Sequence, residues 1–372
     1  MSWNNVIGQD RVKNLLQRAI RRREIAHAYL FSGGEGVGKD AMAIEFSRVL
    51  NCERGATGAC DDCGSCKKMD VLQHPNVRLI FPLPVGKAEK SGDDPLRALT
   101  DDQVDNVHEQ LRLKSRNLYH RIEVAKANFI KVNSVREIRR EAAMSSILGG
   151  KKIFILVNAE SMNAEASNSL LKTLEEPTTD TTFILTTSQK ELLLQTIISR
   201  CQFVQFDPLG EAEIQNALIE RERVDPEQAA LVARLANGSY TAAVGLLSAD
   251  TIAERQGVVQ FLRLVLSSHP VALASEVERL SAGTDGSSVE RWLKLLRVWL
   301  RDALVLRDHG EAGLLNIDHS KDLKSFIQKF PTANLIDAGE CVEQSVALIG
   351  KNVYLPLILM TLASDLRRHL SS

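Results

Sequence analysis

Aromatic residues are scarce in this chain, at 5% of 372 positions, and neither sign of charge prevails, since 46 Lys+Arg stand against 47 Asp+Glu for a formal charge of −1. The lack of a positive excess excludes a free-standing, strongly basic DNA-binding protein, and few aromatics are on hand to stack on unpaired bases. Long apolar runs are missing as well. The longest, Val353 to Ala363, is far short of the ~20 residues a membrane helix needs, and Pro356 interrupts it. Trp3, Asn4, Asn5, Gln9 and Asp10 stand where a signal peptide would carry its apolar core. The expectation is a soluble, cytoplasmic protein. With 44% apolar residues the chain is too hydrophobic to be disordered. At roughly 150 residues per domain its length suggests two or three domains, each able to bury a core.

Between Ala28 and Phe206, β-rich runs at Ala28–Ser32, Val77–Phe81, Lys152–Asn158, Thr182–Ser188 and Gln202–Phe206 alternate with helical patterns. Continuous apolar runs of this kind fit strands buried on both faces, so an α/β domain with a parallel sheet and flanking helices is expected over 1–207. The helices are placed at Asp40–Leu50, from a capping box Ser134-x-x-Glu137 to Leu148, and from Asn163 to Glu176 before Pro177. Residues 82–130 are polar and loop-like before a helix started by Thr100-x-x-Gln103, and read as an insertion. After Pro208 the β signal stops. A small helical unit over 208–249 and a longer all-α block over 250–372 are expected, broken at Gly238, His269-Pro270, Gly283–Ser288 and Pro331.

Gly33-Gly34-Glu35-Gly36-Val37-Gly38-Lys39 lies between a strand and a helix, the context in which a Gly-x4-Gly-Lys element has a mechanism. Backbone N–H groups can curl around phosphate oxygens, the helix amino end adds its dipole, and Lys39 can reach the terminal phosphates of ATP or ADP. The next residue is Asp40 in place of a Ser or Thr, so the hydroxyl that holds Mg²⁺ is absent and a carboxylate faces the phosphates. The alternative is a tight strand-to-helix turn without a ligand. The strand Ile153–Val157 is followed by Asn158-Ala159-Glu160 where such ATPases carry a metal-binding Asp-Glu pair. Glu160, displaced by one position, fits a helix cap better than a catalytic role.

Cys52, Cys60, Cys63 and Cys66 form Cys-x7-Cys-x2-Cys-x2-Cys. Four thiolates this close in a cytosolic chain suit a tetrahedral Zn²⁺, and with every position filled by sulfur the ion would be structural. A redox pair within a Cys-x2-Cys spacing is the competing possibility. Cys201 and Cys341 are distant and read as packing residues.

The order of these elements, together with Asn168-Ser-Leu-Leu-Lys-Thr-Leu-Glu-Glu-Pro177, Thr186-Thr187 and Ser199-Arg200-Cys201, resembles that of bacterial clamp-loader subunits of the AAA+ superfamily, in particular the delta-prime family. The resemblance covers nearly the whole chain apart from 82–130. It implies an AAA+ α/β domain, a helical lid and a helical collar. It further implies that Arg200 is an arginine finger acting in trans on a neighbour's ATP site, with Ser199 and Cys201 holding its base. Gly33, Gly36, Gly38 and Lys39 match the family's phosphate loop and the four cysteines its zinc module. Thr241, in Gly238-Ser239-Tyr240-Thr241-Ala242, stands where the family's nucleotide-sensing arginine would be. The implied partners are other clamp-loader subunits (gamma/tau and delta), with the sliding clamp and primed DNA reached through a DNA polymerase III holoenzyme.

Three functions compete. The first is a non-hydrolysing subunit that completes a neighbour's ATPase site. The second is a gamma/tau-like ATP-hydrolysing motor, which should keep the phosphate-loop hydroxyl, the Asp-Glu pair and the sensor arginine. The third is a zinc-dependent nucleic-acid module, for which Arg21-Arg22-Arg23 is the sole compact basic cluster near the domain.

Overall fold

The structure, a computed structural model, describes residues 3–55, 57–86, 92–97, 99–142, 149–176, 180–247, 251–267, 269–282, 286–311, 313–351 and 353–371. The chain forms two compact units, one made of residues 1–217 with 238–241 and the other of 218–237 with 242–372.

The first unit is built on five strands, β1 (Ala28–Ser32), β2 (Val77–Ile80), β3 (Lys152–Leu156), β4 (Thr181–Thr187) and β5 (Gln202–Gln205). All neighbours are parallel and the order is β2-β3-β4-β1-β5. β1, β3 and β4 are buried along their whole length, which is why they read as unbroken apolar runs, whereas the edge strand β5 leaves Gln202, Phe203 and Gln205 exposed. The helices of this unit are α1 (Asp10–Arg22), α2 (Lys39–Leu50), α3 (Gly64–Asp70), α4 (Asp101–Arg116), α5 (Val132–Ala142), α6 (Ala164–Glu175) and α7 (Gln195–Ile198). α5 and α6 pack Val135, Ile138, Ala166, Leu170 and Leu174 against Phe154 and Phe183, whose rings stack at 5.5 Å.

Helix starts follow their capping chemistry. Asn163 accepts a hydrogen bond from the Ala166 N–H at 2.8 Å at the head of α6. At α4, Gln103 reaches back to the Thr100 N–H at 3.0 Å. Ser134 does not cap α5. The helix begins at Val132, so Ser134 lies within it and its buried hydroxyl has no partner. Residues 143–148, where that helix was expected to finish, and Pro177 lie outside the described residues.

α8 (Glu211–Glu222) leads from the first unit into the second, which continues with α9 (Pro226–Leu235), α10 (Tyr240–Leu247), α11 (Thr251–Val265), α12 (Pro270–Ser281), α13 (Gly286–His309), α14 (Ser320–Lys329), α15 (Leu335–Ile349) and α16 (Leu355–Leu370). α13 is its spine, burying Trp292, Leu293, Leu296, Trp299 and Leu300. Beneath them lies a polar network. The fully buried Asp302 carboxylate accepts from the backbone N–H groups of Leu315 and Asn316 and from Asn316 Nδ2, while Asn316 Oδ1 accepts from the Arg255 guanidinium at 2.9 and 3.0 Å. Among the described residues no helix is long and apolar enough to cross a membrane.

Candidate functional site

The parallel register brings the carboxyl ends of β1, β3 and β4 together. Phe31 pairs with Thr186 and Ser32 with Thr187, so the loop leaving β1 runs beside the end of β4, where the strand order turns back. Lys39 is the first residue of α2 and is buried, and its ammonium donates to the carbonyls of Gly33 and Gly34 at 2.8 and 2.6 Å. The lysine is therefore folded onto its own loop. Burial lowers its pKa, with Asp40 and Glu160 working in the opposite direction.

Asp40 has found partners of its own. Its Oδ1 accepts from the Thr186 hydroxyl at 2.8 Å and its Oδ2 lies 3.1 Å from the ammonium of Lys114, which also donates to the His120 carbonyl at 2.8 Å. Lys114 comes from the last turn of α4, within the insertion, and is 1% exposed. Burial pushes the Asp40 carboxyl up, but Lys114, the Thr186 hydroxyl and Lys39 together hold it below the ordinary carboxylate range. An ion pair thus stands beside the phosphate loop, where a Ser or Thr and a divalent metal would be needed. A magnesium ion there would meet an ammonium, so these residues do not fit a metal–nucleotide complex.

The insertion continues over the loop. The Tyr119 hydroxyl accepts from the Ile7 N–H at 2.8 Å, and its ring meets that of Tyr240 edge-on at 4.9 Å. Tyr240 N–H donates to the Gly36 carbonyl at 3.1 Å, and the Thr241 hydroxyl donates to the Tyr119 carbonyl at 3.0 Å. Gly38, at φ 101°, is packed so closely that a Cβ there would clash with the Tyr119 hydroxyl at 2.7 Å. The glycines expected to cradle phosphate here let the chain's own residues approach, Tyr119 at Gly38 and Ser239 and Thr241 at Gly36.

At the end of β3, Asn158 takes a left-handed conformation with φ 54°, and its N–H donates to Thr186 Oγ1 at 3.3 Å. Glu160 does not cap α6, a role held by Asn163. Its Oε1 accepts instead from the N–H and hydroxyl of Ser188 at 3.0 and 2.9 Å, tying the turn after β3 to the end of β4.

Ser199, Arg200 and Cys201 lie between α7 and β5. The Arg200 guanidinium contacts the Glu175 carboxylate at 2.8 Å and donates to the Thr196 carbonyl at 3.0 Å, with 35% of the side chain exposed. The Ser199 hydroxyl caps the same turn by donating to the Thr196 carbonyl at 3.1 Å. Cys201 packs against the core and burial pushes its thiol up to about 12, so it acts as an apolar anchor and not as a nucleophile.

The sulfurs of Cys52, Cys60, Cys63 and Cys66 all lie within 4.8 Å of one another. Four sulfurs each about 2.3 Å from one ion are about 3.8 Å apart, so this donor set can hold a metal ion. Backbone N–H groups of Cys60, Cys63 and Cys66 point at the sulfurs of Cys52, Cys60 and Cys63 at 3.3 to 3.4 Å, as thiolates require. Outside the cluster, buried Arg48 pairs with Glu45, Asp61 and Asp70 and pins the cysteine loop to α2 and α3. His74 accepts at Nδ1 from the Asn76 N–H, so its Nε2 donates to Ser65, whose hydroxyl donates to the Asn51 carbonyl. Lys114, Tyr119 and this buttress did not stand out in the sequence, and although Glu175 lies within the Asn168–Pro177 segment, nothing there showed that it would meet Arg200, 25 residues further on.

The family described as "DNA polymerase III, delta subunit" matches residues 8–210. The chain is 33% identical to the DNA polymerase III subunit delta′ of Bacillus subtilis over 87% of its own length and 86% of the relative's. It is 31% identical to the corresponding subunit of Pseudomonas aeruginosa over 68% and 66% of the two lengths. Similarity to the B. subtilis tau subunit is lower, at 28% over 66% of this chain and 37% of that one. Motif order, the match of the family over residues 8–210 and one-third identity over most of both lengths make this chain a member of the DNA polymerase III delta-prime family.

Proposed function

We propose that the chain is the non-hydrolysing subunit of a clamp loader, supplying Arg200 to the ATP site of a neighbouring subunit and so helping to load the sliding clamp onto primed DNA. Its partners are gamma/tau and delta subunits in a hetero-oligomeric ring. The observation that carries this reading is the setting of Arg200. The residue stands at the surface beside an edge strand, with its guanidinium held by Glu175 and by the Thr196 carbonyl, and Leu192, Leu194 and Phe203, close to it along the chain, are exposed. Exposed apolar side chains in this stretch suit a protein neighbour, and an arginine fork suits a phosphoryl group.

The chain's own loop supports the non-hydrolysing half of the proposal. Asp40 is engaged by Lys114 and Thr186, and Asn158 and Ala159 offer neither a metal ligand nor a base. These features weigh against the gamma/tau-like motor. The four cysteines hold a structural Zn²⁺, since an all-sulfur set leaves no position for water. We divide the chain into an α/β domain over 1–207, a lid over 208–249 and a collar over 250–372. The collar joins the ring through faces such as the exposed Ile336, Leu357 and Met360 of α15 and α16.

The test is an ATPase assay of the purified chain, alone and after mixing with tau and delta subunits. The expected result is a flat baseline alone and Mg²⁺-dependent turnover in the mixture that is absent when this chain is left out. Hydrolysis by the single chain, abolished by Lys39→Ala, would support the motor reading instead.

A further inference from the structure

We propose that the insertion is an internal occupant of the phosphate loop, in which Lys114 supplies the positive charge that a metal would bring and Tyr119 closes the loop against nucleoside di- and triphosphates. The inference deepens the reading above for the same loop and rests on it.

The argument is one of charge and space. Asp40 places a carboxylate at the head of α2, within reach of the loop. A phosphate chain entering there would add several negative charges beside it, unscreened by any hydroxyl-bound cation. The chain's own solution is an ammonium delivered from α4. Lys114 satisfies Asp40 Oδ2 at 3.1 Å and the His120 carbonyl at 2.8 Å, and Asp40 Oδ1 is taken by Thr186 at 2.8 Å. Lys39, the cation that would greet the phosphates, spends two donors on the loop carbonyls of Gly33 and Gly34.

Space is closed by the same segment. Five residues beyond Lys114, Tyr119 sits against Gly38 and takes the Ile7 N–H, and residues Tyr240 and Thr241 seal it to Gly36. A ligand on the loop has to break the ion pair and displace two buried aromatic rings. The insertion is therefore a built-in substitute for nucleotide, holding the unit in one conformation without following the ATP cycle.

Thermal unfolding of the full chain with and without Mg-ATP, and separately with sodium pyrophosphate, tests this. The wild-type Tm should not move with either ligand. The double variant D40S/K114M, which restores the loop hydroxyl and removes both charges, should gain a rise of several degrees with Mg-ATP, and D40S/K114M/Y119A a larger one. A rise in the wild type overturns the proposal, as does a folded triple variant as blind to nucleotide as the wild type. Should the variants not fold, amine-reactive labelling of the wild type decides. Lys114 should react more than about 10-fold more slowly than the exposed Lys67, at a rate unchanged by Mg-ATP, whereas equal reactivity or acceleration by nucleotide contradicts it. Loss of Arg200 function leaves all of these readouts in place, so the two proposals fail separately.

Discussion

A single aspartate in place of a hydroxyl residue changes what the phosphate loop needs. Asp40 is tolerable only because Lys114 and Thr186 meet both of its oxygens. Lys114→Met alone should cost about 3 kcal/mol of stability, because a partly buried carboxylate loses its counter-charge, and D40N/K114M should recover most of that loss in a double-mutant cycle read by urea unfolding. The pair also sets a pH dependence. Asp40 titrates below the ordinary carboxylate range when folded, so its contribution is complete above about pH 4 and is lost as the pH falls through its lowered value. The stability gap between the wild type and D40N/K114M should therefore narrow in acid. Arg200 behaves differently. Its bond to Glu175 is half exposed and is worth under about 1 kcal/mol, so Arg200→Ala and Glu175→Ala should each leave Tm almost unchanged.

Among the described residues of the cysteine loop and α3, Met69 is the one buried apolar side chain beside Cys63 and Cys66, so this segment has much to gain from a metal. Purified chain should contain one zinc per molecule. Cys63→Ser should lose the metal and make residues 52–66 protease-sensitive, whereas a metal-free wild type with intact protection would refute the assignment. The strands were legible because β1, β3 and β4 are buried on both faces and wrote unbroken apolar runs into the sequence. The four-cysteine spacing and the phosphate loop were equally legible, since their chemistry is local. What escaped was non-local. Lys114 lies in the last turn of an amphipathic helix whose two arginines, Arg112 and Arg116, face water, and nothing in its neighbours reveals a carboxylate 74 residues away. Glu175 reads as the end of α6 until α7 delivers Arg200 beside it. The capping box at Ser134 misled because α5 is entered earlier, after Ile130 bridges to Met162, so the serine falls inside the first turn.

For the molecule as a whole, the two units rest on different chemistry. The helical unit buries an Arg255–Asn316–Asp302 network, and Asp302→Ala should destabilise it by about 3 kcal/mol by stranding two backbone N–H groups and the Asn316 amide, read as an earlier transition in its own unfolding. Charged substitutions at Leu357 and Met360, both exposed, should leave that transition in place and weaken co-purification with tau and delta subunits. On the proposed function a near-neutral chain can serve a DNA-directed machine, because a ring subunit would meet protein over much of its surface and share phosphate contacts with its neighbours. The central claim is that this chain lends an arginine to a site it does not own. It is tested most directly by single-turnover ATP hydrolysis in the assembled loader carrying Arg200→Ala or Arg200→Lys. The account predicts intact assembly, with the rate at the neighbouring site reduced by about 1000-fold or more for alanine and little rescue by lysine, which lacks the planar fork. Wild-type turnover in a fully assembled Arg200→Ala loader would contradict it.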